Sequence, residues 1–132
     1  MKSRARMKNI QRKGGDMSYY NIKFEVEGPI ATLAVNRPKV LNALSIETLQ
    51  EMKEAVDLVA ENKSVRVLII TGARDEPEDG SKPRPASFVA GADIAFMSTL
   101  EKDNPAVDTF VNAGQDLMTT LENLDIPAIA AV

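Results

Sequence analysis

The stretch SFVAGADIAFM, Ser87–Met97, decides how the rest of the chain is read. An apolar pair, Phe88-Val89, gives way to three of the smallest residues, Ala90, Gly91 and Ala92, and Asp93 then opens a run of Ile94, Ala95, Phe96 and Met97. That order predicts a short strand, a tight turn and a helix start, the joint of an α/β fold. Small side chains at 90–92 let a ligand approach the peptide N–H groups closely. At a helix entrance such groups are unpaired and carry partial positive charge. The stretch is therefore a candidate cradle for an anion, or for an oxygen gaining negative charge, with Asp93 capping the helix behind it. Small residues ahead of an Asp-capped helix also occur in loops that bind nothing, so the decision falls to the neighbouring segments.

Immediately upstream, residues 73–86 (ARDEPEDGSKPRPA) hold three prolines, one glycine and seven charges, the composition of a solvated surface loop. Before it, Val65–Thr71 is β-branched and almost wholly apolar, which predicts a parallel-sheet strand covered on both faces and ended by Gly72. Further back, Ile22, Phe24 and Val26 alternate with Lys23, Glu25 and Glu27, Gly28-Pro29 breaks the pattern, and Ile30–Val35 resumes it, so residues 20–35 read as a hairpin. Asn36-Arg37-Pro38 stops the second strand. An unusually apolar loop, Lys39–Leu44, leads to Ser45 as a helix cap, and Ile46, Leu49, Met52, Val56 and Val59 recur at helical spacing to about Glu61. Downstream of the small-residue turn, Asn104-Pro105 is a helix entrance. Val107, Phe110, Val111, Gly114, Leu117, Met118, Leu121 and Leu124 follow as an apolar stripe, with Gly114 expected to pack closely against a neighbour. Pro127 sets up a last strand, Ala128–Val132.

With 132 residues and 44% apolar content the chain suits one domain. It holds no cysteine and no histidine, which excludes a thiol nucleophile, a disulfide framework, a Cys/His zinc site and a Ser-His-Asp triad. Any chemistry must come from the backbone, carboxylates, hydroxyls or lysine. Residues 1–16 hold six basic side chains and one acid, while the remainder carries ten basic against eighteen acidic residues. An acidic body with six Phe and Tyr residues together argues against nucleic-acid binding. No apolar run approaches a membrane span, and the basic start lacks the apolar core of a secretory signal. The expectation is a cytoplasmic protein in which residues 1–17 form a disordered basic tail and 18–132 the folded part.

Four ordered motifs then converge: Asn36-Arg37-Pro38-Lys39-Val40-Leu41-Asn42-Ala43-Leu44, Val67-Leu68-Ile69-Ile70-Thr71-Gly72, Phe88-Val89-Ala90-Gly91-Ala92-Asp93-Ile94, and Ile126-Pro127-Ala128-Ile129-Ala130-Ala131-Val132. Together they make the chain resemble the enoyl-CoA hydratase/isomerase (crotonase) family, over the N-terminal half of that family's domain. The resemblance implies a spiral of ββα units and an acyl-CoA thioester as substrate. It implies no separate cofactor, coenzyme A being part of the substrate, and no metal. It further implies a homo-oligomer, trimer or hexamer. By position, the backbone N–H of Ala92 is one of two donors to the thioester oxygen as it gains enolate character. Lys39, Val40 and Leu41 line the adenine end of coenzyme A, with the backbone around Ala90, Gly91 and Ile94 closing the other side. Asp93 chiefly caps the helix behind the cradle. For Lys39 a solvated loop lysine is the plain alternative, and Val40 and Leu41 could equally be core anchors.

Departures from the family pattern matter as much. The family's second oxyanion donor lies in a glycine-rich turn after the strand with which these 132 residues end, and its general acid and base lie further on. The sequence therefore reads as interrupted. Losing one oxyanion donor costs on the order of 3 kcal/mol and lacking acid–base groups roughly 10² to 10⁴-fold, so little hydratase activity is expected of these residues alone. Ala95-Phe96 also stands where many relatives carry charged residues. Two functions compete: hydration of 2-enoyl-CoA thioesters (or a double-bond shift), and a non-catalytic CoA-binding or assembly role. A dinucleotide-binding unit is excluded, because Gly72 is followed by charges and prolines rather than by further glycines at the required steps.

Overall fold

The computed structural model describes residues 18–101 and 103–132; the basic tail expected at residues 1–17 lies outside them. The elements run β1 (Ile22–Glu27), β2 (Ile30–Val35), a 3₁₀ turn (Pro38–Val40), α1 (Ile46–Glu61), β3 (Val67–Gly72), α2 (Ile94–Met97), α3 (Pro105–Glu122) and β4 (Ala128–Ala130).

β1 and β2 form the expected hairpin, in register from Ile22↔Val35 to Glu27↔Ile30. Gly28 supplies a positive φ of 58° at the first turn position and Pro29 a fixed φ at the second. The sheet order is β1-β2-β3-β4, with β2, β3 and β4 parallel. Parallel neighbours need a crossover. α1 supplies it between β2 and β3; the long loop, α2 and α3 supply it between β3 and β4.

One face of the sheet is buried. Ile22, Ala31, Leu33, Val35 and Leu68 project from it into a cluster completed by Leu49, Met52, Ala55, Val56 and Val59 of α1 and Leu117 of α3. Each fully buried Leu, Ile or Val in that cluster contributes about 1.5–3 kcal/mol. α1 begins where Ser45 Oγ accepts the Thr48 N–H at 3.2 Å, as its position in the sequence predicts.

Four expectations change. β3 is not covered on both faces: Leu68 is fully buried, whereas Val67, Ile69 and Thr71 on the opposite face remain partly open. Phe88-Val89 forms no regular strand; a single parallel bridge between Leu44 and Ala92 is all the pairing this segment makes. Along the stripe of α3, Phe110, Leu117, Leu121 and Leu124 face the core, but Val111 and Met118 are 45% and 56% exposed. Gly114 is no close-approach position either, because an added Cβ would meet only Leu49 Cδ1 at 4.0 Å, an ordinary contact.

Candidate functional site

Of the sequence-predicted residues, Leu41 lies beside Ala90, and Leu44 just after it pairs with Gly91 and Asp93, whereas Lys39 lies against the 74–84 loop. After the 3₁₀ turn, Leu41 (φ 54°) and Asn42 (φ 59°) both adopt the left-handed conformation. Asn tolerates this, while a leucine there costs about 1–2 kcal/mol, so the surroundings must enforce it. Asn42 does so. It is 1% exposed; its Oδ1 accepts the Arg37 N–H at 2.8 Å, and its Nδ2 donates to the carbonyls of Ala73 (3.0 Å) and Ser87 (2.8 Å). One amide side chain thus fastens the 37–44 loop to the exit of β3 and to the run-in of the small-residue turn.

Gly72 closes the same joint. A Cβ built there would lie 2.0 Å from the Ser87 carbonyl oxygen and 2.5 Å from that of Phe88, distances no side chain can occupy. The two ends of the 73–86 loop are therefore pinched together.

Across this joint the Ala90 N–H donates to Leu41 O (3.2 Å), the Leu44 N–H to Gly91 O (2.7 Å) and the Asp93 N–H to Leu44 O (2.8 Å). Leu44 thereby uses both its backbone groups on the residues flanking Ala92. In parallel pairing the residue between those two partners turns its own N–H and C=O to the opposite side. The Ala92 N–H points away from Leu44, and among the described residues it meets no acceptor. Gly91 has φ 84°, a value that glycine alone adopts freely, and an added Cβ would touch nothing. Its role is conformational, not one of space.

The helix entrance is capped by Asp93, as its place in the sequence predicts. Asp93, 8% exposed, accepts the Ala95 and Phe96 N–H groups on Oδ1 at 3.0 and 3.3 Å, so two of the donors at the start of α2 are occupied by the chain's own carboxylate. Oδ2 accepts from Arg37 Nη2 at 2.8 Å, and this bond, more than any other influence, holds the carboxyl below the usual carboxylate range. α2 itself rests on α3 through Phe96 and Phe110, whose ring centroids lie 5.7 Å apart.

Val40 and Leu41 leave 43% and 39% of their surface open and are not core anchors; Ile94 is 81% exposed. Lys39 is exposed and lines a depression with Lys23, Arg74, Lys82, Arg84 and the carboxylates of the 75–79 segment. Its charge lies close enough to Asp79 to help lower that carboxyl, behind the larger effect of the Ser81 hydrogen bond. Arg37, Asn42 and Gly72 escape sequence reasoning as parts of the site. Each has an ordinary local explanation in the sequence, a strand stop, a loop residue and a strand end, while the contacts that tie them into the site reach to Asp93, to Ala73 and Ser87, and to Ser87 and Phe88.

The joint is thus a bend, permitted by Gly91, in a parallel α/β layer, with the Ala92 N–H left unpaired among the described residues. The sequence profile of the enoyl-CoA hydratase/isomerase family matches residues 25–132, and the chain belongs to that family. It is 43% identical over 116 residues to the crotonyl-CoA hydratase of Syntrophomonas wolfei, and 37% identical over 116 residues to the short-chain-enoyl-CoA hydratase of Clostridium acetobutylicum. Each match covers 88% of this chain and 40% of the relative, so the chain spans about 40% of the length of these curated relatives. Among solved structures, an enoyl-CoA hydratase/carnithine racemase from Magnetospirillum magneticum superposes with a TM-score of 0.70 at 29% identity, covering 86% of this chain and 39% of that one.

Proposed function

We propose that this chain supplies the thioester-receiving part of an enoyl-CoA hydratase. Hydration of a 2-enoyl-CoA adds the oxygen of water at C3 and a proton at C2. Between these events the electron pair of the double bond moves onto the thioester oxygen. A fixed N–H aimed at that oxygen stabilises the developing charge without reorganising, an effect worth about 3 kcal/mol per donor. The observation that carries this reading is the Ala92 N–H, turned outward and without a partner among the described residues. Around it, Lys39, Val40 and Leu41 hold the adenine end of coenzyme A, while Ala90, Gly91 and Ile94 bound the other side of the bend. Asp93 shapes the bend by capping α2.

The names of the relatives favour hydration over a double-bond shift. A cytoplasmic setting and self-association into trimers or paired trimers belong to the same proposal. Exposed apolar side chains at Val111, Met118 and Ile129 support the latter, and sedimentation of the purified chain tests it. Because these residues span about 40% of such relatives, a second reading is binding without turnover. Titration of crotonyl-CoA, followed calorimetrically and by loss of the conjugated thioester absorbance, separates the two. Heat with steady absorbance supports a binding part, heat with decaying absorbance supports a competent hydratase, and no heat overturns both for this chain.

A further inference from the structure

We propose that Arg37 polarises and aims the Ala92 N–H through two peptide groups in series. The inference rests on the Ala92 reading above and deepens it.

The path can be followed atom by atom. Arg37 Nη1 donates to the Ala43 carbonyl oxygen. That carbonyl and the Leu44 N–H belong to one planar trans peptide and point in opposite directions. The Leu44 N–H donates to Gly91 O at 2.7 Å. Gly91 C=O and the Ala92 N–H are again the two ends of one trans peptide. A guanidinium charge therefore stands at the head of a line that ends in the unpaired N–H facing the substrate. Serial hydrogen bonds polarise one another, each by roughly 10–30%, and a cation at the accepting end pulls electron density in the direction that strengthens the terminal donor. The geometry follows too: the plane of the Gly91–Ala92 peptide, otherwise loose at a glycine, is fixed by the Leu44 bond.

Arg37 is well placed to act at short range. Its side chain is 19% exposed, so water screens it little, and its own N–H is held by Asn42 Oδ1 at 2.8 Å. Asp93 takes the other arm of the guanidinium at 2.8 Å, which orients it but also offsets part of its charge. The arrangement makes Arg37 a positioning residue, not a catalytic one: it touches neither substrate nor reacting atoms.

The test reads the carbonyl stretch of crotonyl-CoA, labelled with ¹³C at the thioester carbon, bound to the purified chain at saturation, with free coenzyme A affinity as a control for an intact fold. In the unaltered protein the stretch moves to lower frequency on binding; no movement overturns the Ala92 reading itself. Arg37→Met is expected to lose roughly a fifth to two-fifths of that shift while keeping free coenzyme A affinity within about two-fold. Arg37→Gln, which keeps an N–H donor for Ala43 without the charge, serves in its place if the methionine variant loses coenzyme A, and is expected to lose a smaller part. Asp93→Asn keeps the helix cap and removes the offsetting charge, so its shift equals or exceeds that of the unaltered protein. A full shift in the neutral Arg37 variant, or a loss in Asp93→Asn as large as in Arg37→Met, overturns the relay and leaves the function reading standing.

Discussion

The joint between residues 37–44 and 87–93 and the α3–β4 half of the molecule are held by opposite means. At the joint the buried groups are polar and paired: Asn42 makes three side-chain bonds, Arg37 bridges Ala43 and Asp93, and Asp93 caps α2. In α3 and β4 little is buried: Leu117 is the one fully buried residue of the two elements, and beside exposed polar side chains the apolar Met118 and Ile129 are more than half exposed. Polar networks are directional, and leaving one member unpaired is costly; apolar faces are tolerant of what covers them. The site-forming bend is thus specified within these residues, whereas α3 and β4 offer surface on which further protein can pack.

The sharpest way to break the joint is Gly72→Ala. Its Cβ must displace the Ser87 and Phe88 carbonyls, and a loss of about 3 kcal/mol is expected by denaturant unfolding, with the Ala90 amide exchanging faster. A cost under 1 kcal/mol would show the pinch to be unnecessary. Asn42→Ala follows, at about 2 kcal/mol, because it strands the Arg37 N–H and the Ala73 and Ser87 carbonyls and leaves the left-handed Leu41 unsupported.

Acid titration gives a smaller effect with a definite sign. The Asp93 carboxyl is depressed in the folded state by Arg37, so its contribution is complete above the ordinary carboxylate pKa of about 4 and is lost as pH falls through the lower folded value. The unaltered protein should lose stability relative to Asp93→Asn between pH 5 and the acid limit of folding, and parallel curves would deny the pair any such role. On the contrasting side, Gly114→Ala is expected to stabilise α3 by about 1 kcal/mol, since alanine gains helix propensity and meets only Leu49 at contact distance. Destabilisation there would mean that α3 is packed as tightly as the joint.

Much of the fold was legible because its signals are local. Alternation in Ile22–Val26, the Gly28-Pro29 break, Ser45 ahead of a helical period and Asn104-Pro105 each report on neighbours a few residues away, and the structure places elements there. The stripe on α3 misled for the converse reason. Periodicity shows which residues share a face, not whether that face meets anything, so Val111 and Met118 looked as buried as Leu117. At the site, the smallness of Ala90-Gly91-Ala92 and the cap at Asp93 could be read directly. That Leu44 would pair on either side of Ala92 and turn its N–H away could not.

What the sequence by itself determined is the order of the main strands and helices, though not the strand expected at Phe88-Val89, and the permissive bend at Gly91, all consequences of side-chain period, capping and backbone sterics over short distances. Only the tertiary structure decided where the open N–H points. That direction depends on Leu44 pairing with Gly91 across 47 positions, on Asn42 reaching Ala73 and Ser87, and on a guanidinium spanning from residue 37 to residue 93. Hydrogen bonds between distant segments are fixed by packing geometry, for which a linear order of residues carries no local signature.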